Sequence, residues 1–417
     1  MVMLNFIRKE SVIMEYIVTG KKCFDGCKIL IDFYFHVVDG KIIDIGSLKD
    51  LDPKGVEVID FGNHLVTPGL MDAHIHICMD PYQPKFEVTD LAEIAITAER
   101  NLNTLLHNGI TYVRDVGAPA GIMKTLKRLV ENGTIIGPDL KICGQAICAT
   151  GGHGWQMSKE SNSVNDVCKY VRDNVKEGVD QIKLMVTGGI NTKGNELAPL
   201  ELTKEEIQVA VNEAHRRGRK VCVHTHGRTG IETCLKCGVD SIEHGLLMDE
   251  ELANLAKENG TWLVPTLSAP YFAVAVGLKK DPNSKSHLKS KEVMEVHRKN
   301  ALYAYKTGVK MAMGTDSGTP FNGFDTVLEE LVLLNKIGIT NEDVFKMATS
   351  NASELLEVSS TDGTLEVGKN ATFVVFEKDP LENIEDVHEI HCVYKKGELV
   401  KVLLFLFCTP SGIRTLD

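Results

Sequence analysis

Two periodicities divide the chain. From residue 1 to about 66, apolar positions come in short runs at 16–20, 27–32 and 41–46, broken by Asp-Gly pairs at Asp25-Gly26 and Asp39-Gly40. Asp-Gly between apolar runs signals a hairpin, because both residues tolerate the positive φ of a tight turn. This stretch therefore predicts a small antiparallel unit. From 67 to 355 the texture changes. Eight short apolar runs, at 65–77, 109–117, 138–147, 180–188, 220–227, 241–245, 261–267 and 310–318, alternate with amphipathic segments such as 91–108, 164–177, 203–217 and 249–259. Strand–helix alternation predicts a parallel sheet. Eight repeats in one stretch predict a (β/α)8 barrel, a TIM-type α/β fold. The polar segment 268–300 reads as an excursion after the seventh strand, a candidate lid. From 356 to 401 the β texture returns, at 363–369, 371–377 and 391–400. The simplest closure joins these runs to residues 1–66 in one β-sandwich built from both chain ends. Residues 402–417 hold an apolar run and a polar end. They read either as a last strand that frays or as a segment foreign to the natural protein.

Composition narrows the partners. Hydrophobic content is 43% and charged content 25%, the ordinary globular range. The length, 417 residues, allows two to three domains. A net charge of −11 argues against the basic footprint of a nucleic-acid binder. The eleven cysteines are odd in number and scattered, which fits a reducing cytoplasm better than a disulfide framework. Cys234 and Cys237 form a CxxC with no second pair, the spacing of two cysteines one helical turn apart. Neither a signal peptide nor an apolar run of the ~18 residues a membrane helix needs is present. The expectation is a soluble cytoplasmic protein with neither nucleic-acid nor membrane partners.

Barrel enzymes carry their chemistry at the C-terminal ends of the strands. His74 and His76 end the first run; at positions i and i+2 of a strand they face the same side. Lys183 lies in the fourth run, His224 ends the fifth, His244 the sixth and Asp316 the eighth. Imidazole and carboxylate are common metal ligands. A lone histidine is usually structural; six metal-capable residues recurring at predicted strand ends are poorly explained by chance.

This pattern resembles the binuclear-metal subtype of the amidohydrolase superfamily. The stretches Val66-Thr-Pro-Gly-Leu-Met-Asp-Ala-His-Ile-His, Thr150-Gly-Gly-His-Gly, Lys183-Leu-Met-Val-Thr-Gly-Gly, Ile242-Glu-His-Gly and Gly314-Thr-Asp are similar to its prolidase-like branch. That branch includes zinc-dependent Xaa-Arg/Lys carboxypeptidase-like proteins and is related to imidazolonepropionase-like proteins. The resemblance implies two divalent metal ions, zinc the first expectation. His74, His76 and Asp316 would hold one and His224 and His244 the other, with Lys183, carboxylated by CO2, bridging both. A lysine ammonium has no lone pair, whereas a carbamate is an anionic two-oxygen ligand. Burial favours the neutral amine that carboxylation needs.

The resemblance further implies attack by a hydroxide held between the metals, with Asp316 moving the proton to the leaving amine. His153 would serve as oxyanion or substrate contact. His226, Arg228 and Tyr271 are candidates for a substrate carboxylate, and Arg114 and Asp115 for a barrel-end ion pair. The implied reaction is cleavage of the amide bond before a C-terminal amino acid in a small peptide or N-acyl amino acid. Arg or Lys is the first expectation for that residue and Pro the second; a cationic side chain would need an acid in the pocket. The alternatives are a cyclic amide hydrolase, a deaminase, or a non-enzymatic scaffold. Lys183 weighs against the deaminase, since mononuclear enzymes need no bridge, and the intact six positions weigh against the scaffold. A homo-oligomer is implied by resemblance alone.

Overall fold

The computed structural model describes residues 14–83, 90–119, 121–190 and 199–400. The expectations for 402–417 lie outside these residues.

The hairpins form where Asp-Gly pairs predict them. Strand β1 (Glu15–Phe24) turns into β2 (Ile29–Val38), and the Asp25 carboxylate accepts the amides of Cys27 and Lys28 at 2.8 Å each. Between β2 and β3 (Lys41–Ser47), Asp39 and Gly40 take φ values of 47° and 76°. Both central residues thus sit in the left-handed region that a two-residue hairpin requires. Strands β4 (Val58–Asp60) and β5 (Leu65–Pro68) complete the N-terminal part.

Gly69 alone separates β5 from the first barrel strand, β6 (Leu70–Ile75). A Cβ there would lie 2.2 Å from the Thr111 hydroxyl, so this junction has room only for glycine. The barrel continues through β7 (Ile110–Asp115), β8 (Asp139–Ile142), β9 (Ala146–Ala149), β10 (Ser158–Ser161), β11 (Gln181–Met185), β12 (Lys220–Thr225), β13 (Ser241–His244) and β14 (Trp262–Val264). Neighbouring barrel strands pair in parallel. The third predicted run is split into β8 and β9, and β10 adds an unforeseen partner to β9. The eighth run, 310–318, is not a regular strand, yet it closes the barrel. Ala312 donates to Leu263 O at 3.2 Å on one side, and Ala73 donates to Met313 O at 2.9 Å on the other. Its ladder breaks where Asp316 adopts a φ of 59° and turns toward the barrel mouth.

The helices follow their caps. Asp90, Ser163, Thr203 and Asp249 each accept a first-turn amide of Leu91–His107, Val164–Glu177, Lys204–Arg216 and Glu250–Asn259. Segment 268–300, the excursion after the seventh strand, is mostly helical. It runs through Ser268–Phe272, a π-helical turn Ala273–Gly277, Leu278–Lys280 and Lys285–Thr307.

The C-terminal strands are β15 (Phe373–Phe376), β16 (Ile390–Lys395) and β17 (Glu398–Leu399). They enter the same sheet as the N-terminal strands, in the order β17-β16-β15-β5-β1-β2-β3, with β4 beside β1. Phe35 of β2 meets Phe373 of β15 edge-on, ring centres 5.2 Å apart, although two strands separate them in the sheet. The sheet therefore curls over its own apolar core to make the sandwich. Run 363–369 is a loop rather than a strand. Its Leu365 amide docks on Asp25 O at 2.9 Å, and Gly363 is pressed against Ser353.

Candidate active site

The six residues at the strand ends converge on one cavity of about 520 Å³. β6 is buried along its whole length, which places His74 and His76 at the mouth with their backbone fixed. Both Nε2 atoms lie 3.3 Å from Asp316 Oδ1. Their other nitrogens are occupied: His74 Nδ1 meets Glu243 Oε2 at 2.7 Å, and His76 Nδ1 meets the Gly117 carbonyl at 3.1 Å. Both of those partners are acceptors, so Nδ1 carries the proton and Nε2 keeps its lone pair. His244 is arranged alike. The Thr266 hydroxyl donates to Pro265 O at 2.7 Å, so it accepts from His244 Nδ1, also at 2.7 Å.

His224 lies beside them, its ring centre 4.6 Å from that of His244. Its Nε2 is buried and has no hydrogen-bond partner among the described residues. Leaving such a nitrogen unsatisfied costs roughly 1–3 kcal/mol, a cost a bound cation would relieve. Lys183, 1% exposed, lines the same cavity from β11. The ligand atoms of His74, His244 and Asp316 all fall within 4.8 Å of one another. Converging lone pairs, occupied rear nitrogens and an orphaned His224 together fit a metal group. Burial opposes ionisation of Asp316, but the imidazoles of His74 and His76 that face it outweigh burial and hold the carboxyl well below its ordinary range.

Arg114 and Asp115 do not pair with each other. Arg114 is fully buried and donates to Glu243 Oε1 at 2.8 Å, to Ser241 at 3.1 Å and to the Ala73 carbonyl. Asp115 instead accepts the amides of Ile77 at 2.9 Å and Gly117 at 3.1 Å, fixing the loops after β6 and β7. Burial pushes the Asp115 carboxyl up to about 6. Glu243, absent from the residues expected at the site, thus joins a buried guanidinium to His74. Its signal was an acid inside an apolar strand, one residue before His244. Glu243→Gln should leave Arg114 as an uncompensated buried cation, costing about 3–5 kcal/mol. It should also weaken metal affinity by roughly 10–100-fold. Thermal unfolding and a metal titration check both, and a wild-type melting curve would refute the role.

The helical segment 268–307 supplies the cavity roof through Ala269, Pro270, Ala273, His287, Ser290 and His297. His297 Nε2 donates to the His244 carbonyl at 3.0 Å. His287 is 9% exposed, and its Nδ1 is unpartnered among the described residues. Neither was foreseen, because a polar helix gives no sign of which face will dock. His153 and His226 line the cavity, their ring centres 4.2 and 4.5 Å from that of His224. Burial drives the His153 imidazole down to about 4.

Two candidates are not brought to the cavity. Arg228 opens a helix and turns outward into a surface network with Asp249 at 2.7 Å, Glu232 at 3.4 Å and Glu251. Tyr271 lies in the roof helix but packs against the apolar core and Phe272, ring centres 5.1 Å apart, while its neighbours Ala269 and Pro270 face the cavity.

Comparison with known proteins places this architecture. Ochratoxinase of Aspergillus niger is 30% identical over 404 residues, covering 88% of this chain and 82% of its own. A Xaa-Pro dipeptidase structure with bound methionine in the active site has a TM-score of 0.85 and 29% identity, covering 93% of this chain and 100% of its own. A prolidase structure complexed with N-methylphosphonate-L-proline has a TM-score of 0.85 at 26% identity, covering 93% and 99%. The sequence model of the amidohydrolase family matches residues 65–400, a span that holds all six strand-end residues and the closing strands of the sandwich. With that match and the converging donor set at the barrel mouth, this chain belongs to the amidohydrolase family and is a metal-dependent hydrolase.

Proposed function

We propose that the protein hydrolyses the amide bond before a C-terminal amino acid in a dipeptide or N-acyl amino acid, with an apolar residue or proline at that end. The observation that carries the specificity is the cavity wall. Among the described residues lining it, Asp316 is the only acid, and it faces His74 and His76. An Arg or Lys side chain would enter without a counter-charge, against the first expectation from sequence. Met79, Met157, Met185 and Leu246 offer apolar surface instead. The likeness to structures holding methionine and a proline phosphonate supports the same reading.

His74, His76 and Asp316 would hold one divalent ion, His224 and His244 a second, and a carboxylated Lys183 would link them. Zinc suits such imidazole–carboxylate sets. When bound, the ions supply Lewis-acid polarisation of the scissile carbonyl and acidify water to near neutral pH. The chain's own residues do the rest. Asp316 takes the proton from the attacking water and returns it to the leaving amine. Glu243, braced by Arg114, keeps His74 in its ligating tautomer. His153 donates to the oxyanion side of the carbonyl, while the buried nitrogens of His226 and His287 offer contacts for the substrate carboxylate. The roof helices exclude bulk water.

A panel of dipeptides and N-acyl amino acids with varied C-terminal residues tests this. The highest kcat/KM is expected with Met, Phe or Pro and the lowest with Arg and Lys. A preference for Arg or Lys would overturn the specificity. Inactivity on the whole panel with ring-opening of cyclic amides would overturn the reaction class.

A further inference from the structure

We propose that His64, Glu377 and His391 form a second kind of metal site, on the sandwich rather than in the barrel, suited to Zn2+ or Cu2+. The three residues gather at neighbouring strands: His64 just before β5, Glu377 just after β15 and His391 within β16. Leu65 of β5 pairs with Phe376 of β15, so one step further sets His64 opposite Glu377. Between β15 and β16 the register slips, from Val375 opposite Cys392 to Phe376 opposite Ile390. His391 is the extra residue, and a bulge of this kind re-aims a side chain. Here it brings His391 Nδ1 to 2.8 Å from Glu377 Oε1.

His64 completes the group from the other side. Its ring stacks on that of His391, centres 4.6 Å apart and planes 20° from parallel. Its Nδ1 donates to the Glu377 carbonyl at 3.2 Å and lies 3.7 Å from Glu377 Oε2. One ligand atom from each of the three residues falls within 4.8 Å of the others. Phe61 packs edge-on against His391, centres 6.2 Å apart, and so steadies the ring.

A plain surface ion pair between Glu377 and His391 would contribute little, since these side chains are 47% and 40% exposed. Two imidazoles and one carboxylate are the donor set that favours zinc or copper over calcium or magnesium. Three protein ligands leave a further position for water. An ion held there would fasten β5, from the N-terminal half of the sandwich, to β15 and β16 from the C-terminal half.

The test uses the metal-loaded protein at pH 7.5 with excess Zn2+, comparing wild type with the double variant H64N/H391N. The wild type is expected to hold one more ion per chain than the variant. Its melting temperature should rise with added Zn2+ where the variant's does not, and hydrolytic kcat/KM should be the same for both. With Cu2+ as probe, the wild type should show nitrogen splitting in its electron paramagnetic resonance spectrum, and the variant should lose that signal. Equal ion counts and equal spectra overturn the site. Should the double variant not fold, E377Q keeps the side-chain shape. The same loss is expected there, and an unchanged Cu2+ spectrum in E377Q refutes the proposal.

Discussion

Asp316→Asn is expected to lower kcat by about 10²–10⁴-fold, the range for a lost general acid–base group. Asparagine keeps the size of the side chain but can neither accept a proton nor offer the anionic oxygen that both histidines now face at 3.3 Å. The fold should persist. The turn at Asp316 rests on backbone bonds, including its amide to His74 O at 2.7 Å, and asparagine tolerates its positive φ. Turnover of a cleaved dipeptide, read beside circular dichroism, checks this. Wild-type kcat would refute the role. Full recovery in excess metal would leave Asp316 as a ligand only, with the proton carried elsewhere.

Lys183→Ala should cost more than the roughly 10–100-fold that loss of an outer-sphere partner costs, because a ligand linking both ions would be gone. Lys183 is 1% exposed among His224, His244 and Glu243, so its removal opens a space at the cavity floor. Acetate or propionate added at millimolar levels should enter that space and restore part of the activity, standing in for the carbamate oxygens. The metal content of the purified variant should fall. Wild-type metal content and rate in Lys183→Ala would rule out a bridging carbamate. A loss that no carboxylic acid relieves, with both ions retained, would make the lysine a structural residue.

What could be read from the sequence follows from how a barrel is built. Strand ends gather at one rim whatever their order in the chain, so HxH, a lone lysine, two later histidines and a GTD could be assembled without knowing the contacts. The Asp-Gly hairpins and the helix caps were equally plain, because each acts over a few residues. What escaped depends on docking between distant segments. Arg114 looked like a partner for its neighbour Asp115, yet strand alternation sends the two side chains apart and Glu243 meets the guanidinium. Arg228 looked free for a substrate because Asp249 and Glu251 become its neighbours only after two strands pair. The polar helix Lys285–Thr307 gave no sign that His287 and His297 would face inward. The eighth strand was found by its composition but not its shape, since the left-handed Asp316 interrupts its ladder.

The placement of β5 between β1 and β15 has a consequence during synthesis. A ribosome releases β1 to β5 first, then the entire barrel, and only afterwards Phe373–Phe376. Until then one side of β5 has no neighbour to accept its hydrogen bonds. Open strand edges recruit other chains, and translation at about 5–20 residues per second leaves the nascent polypeptide so exposed for many seconds. Joining the first and last strands in one sheet therefore leaves the growing chain with an open edge that the finished molecule no longer has.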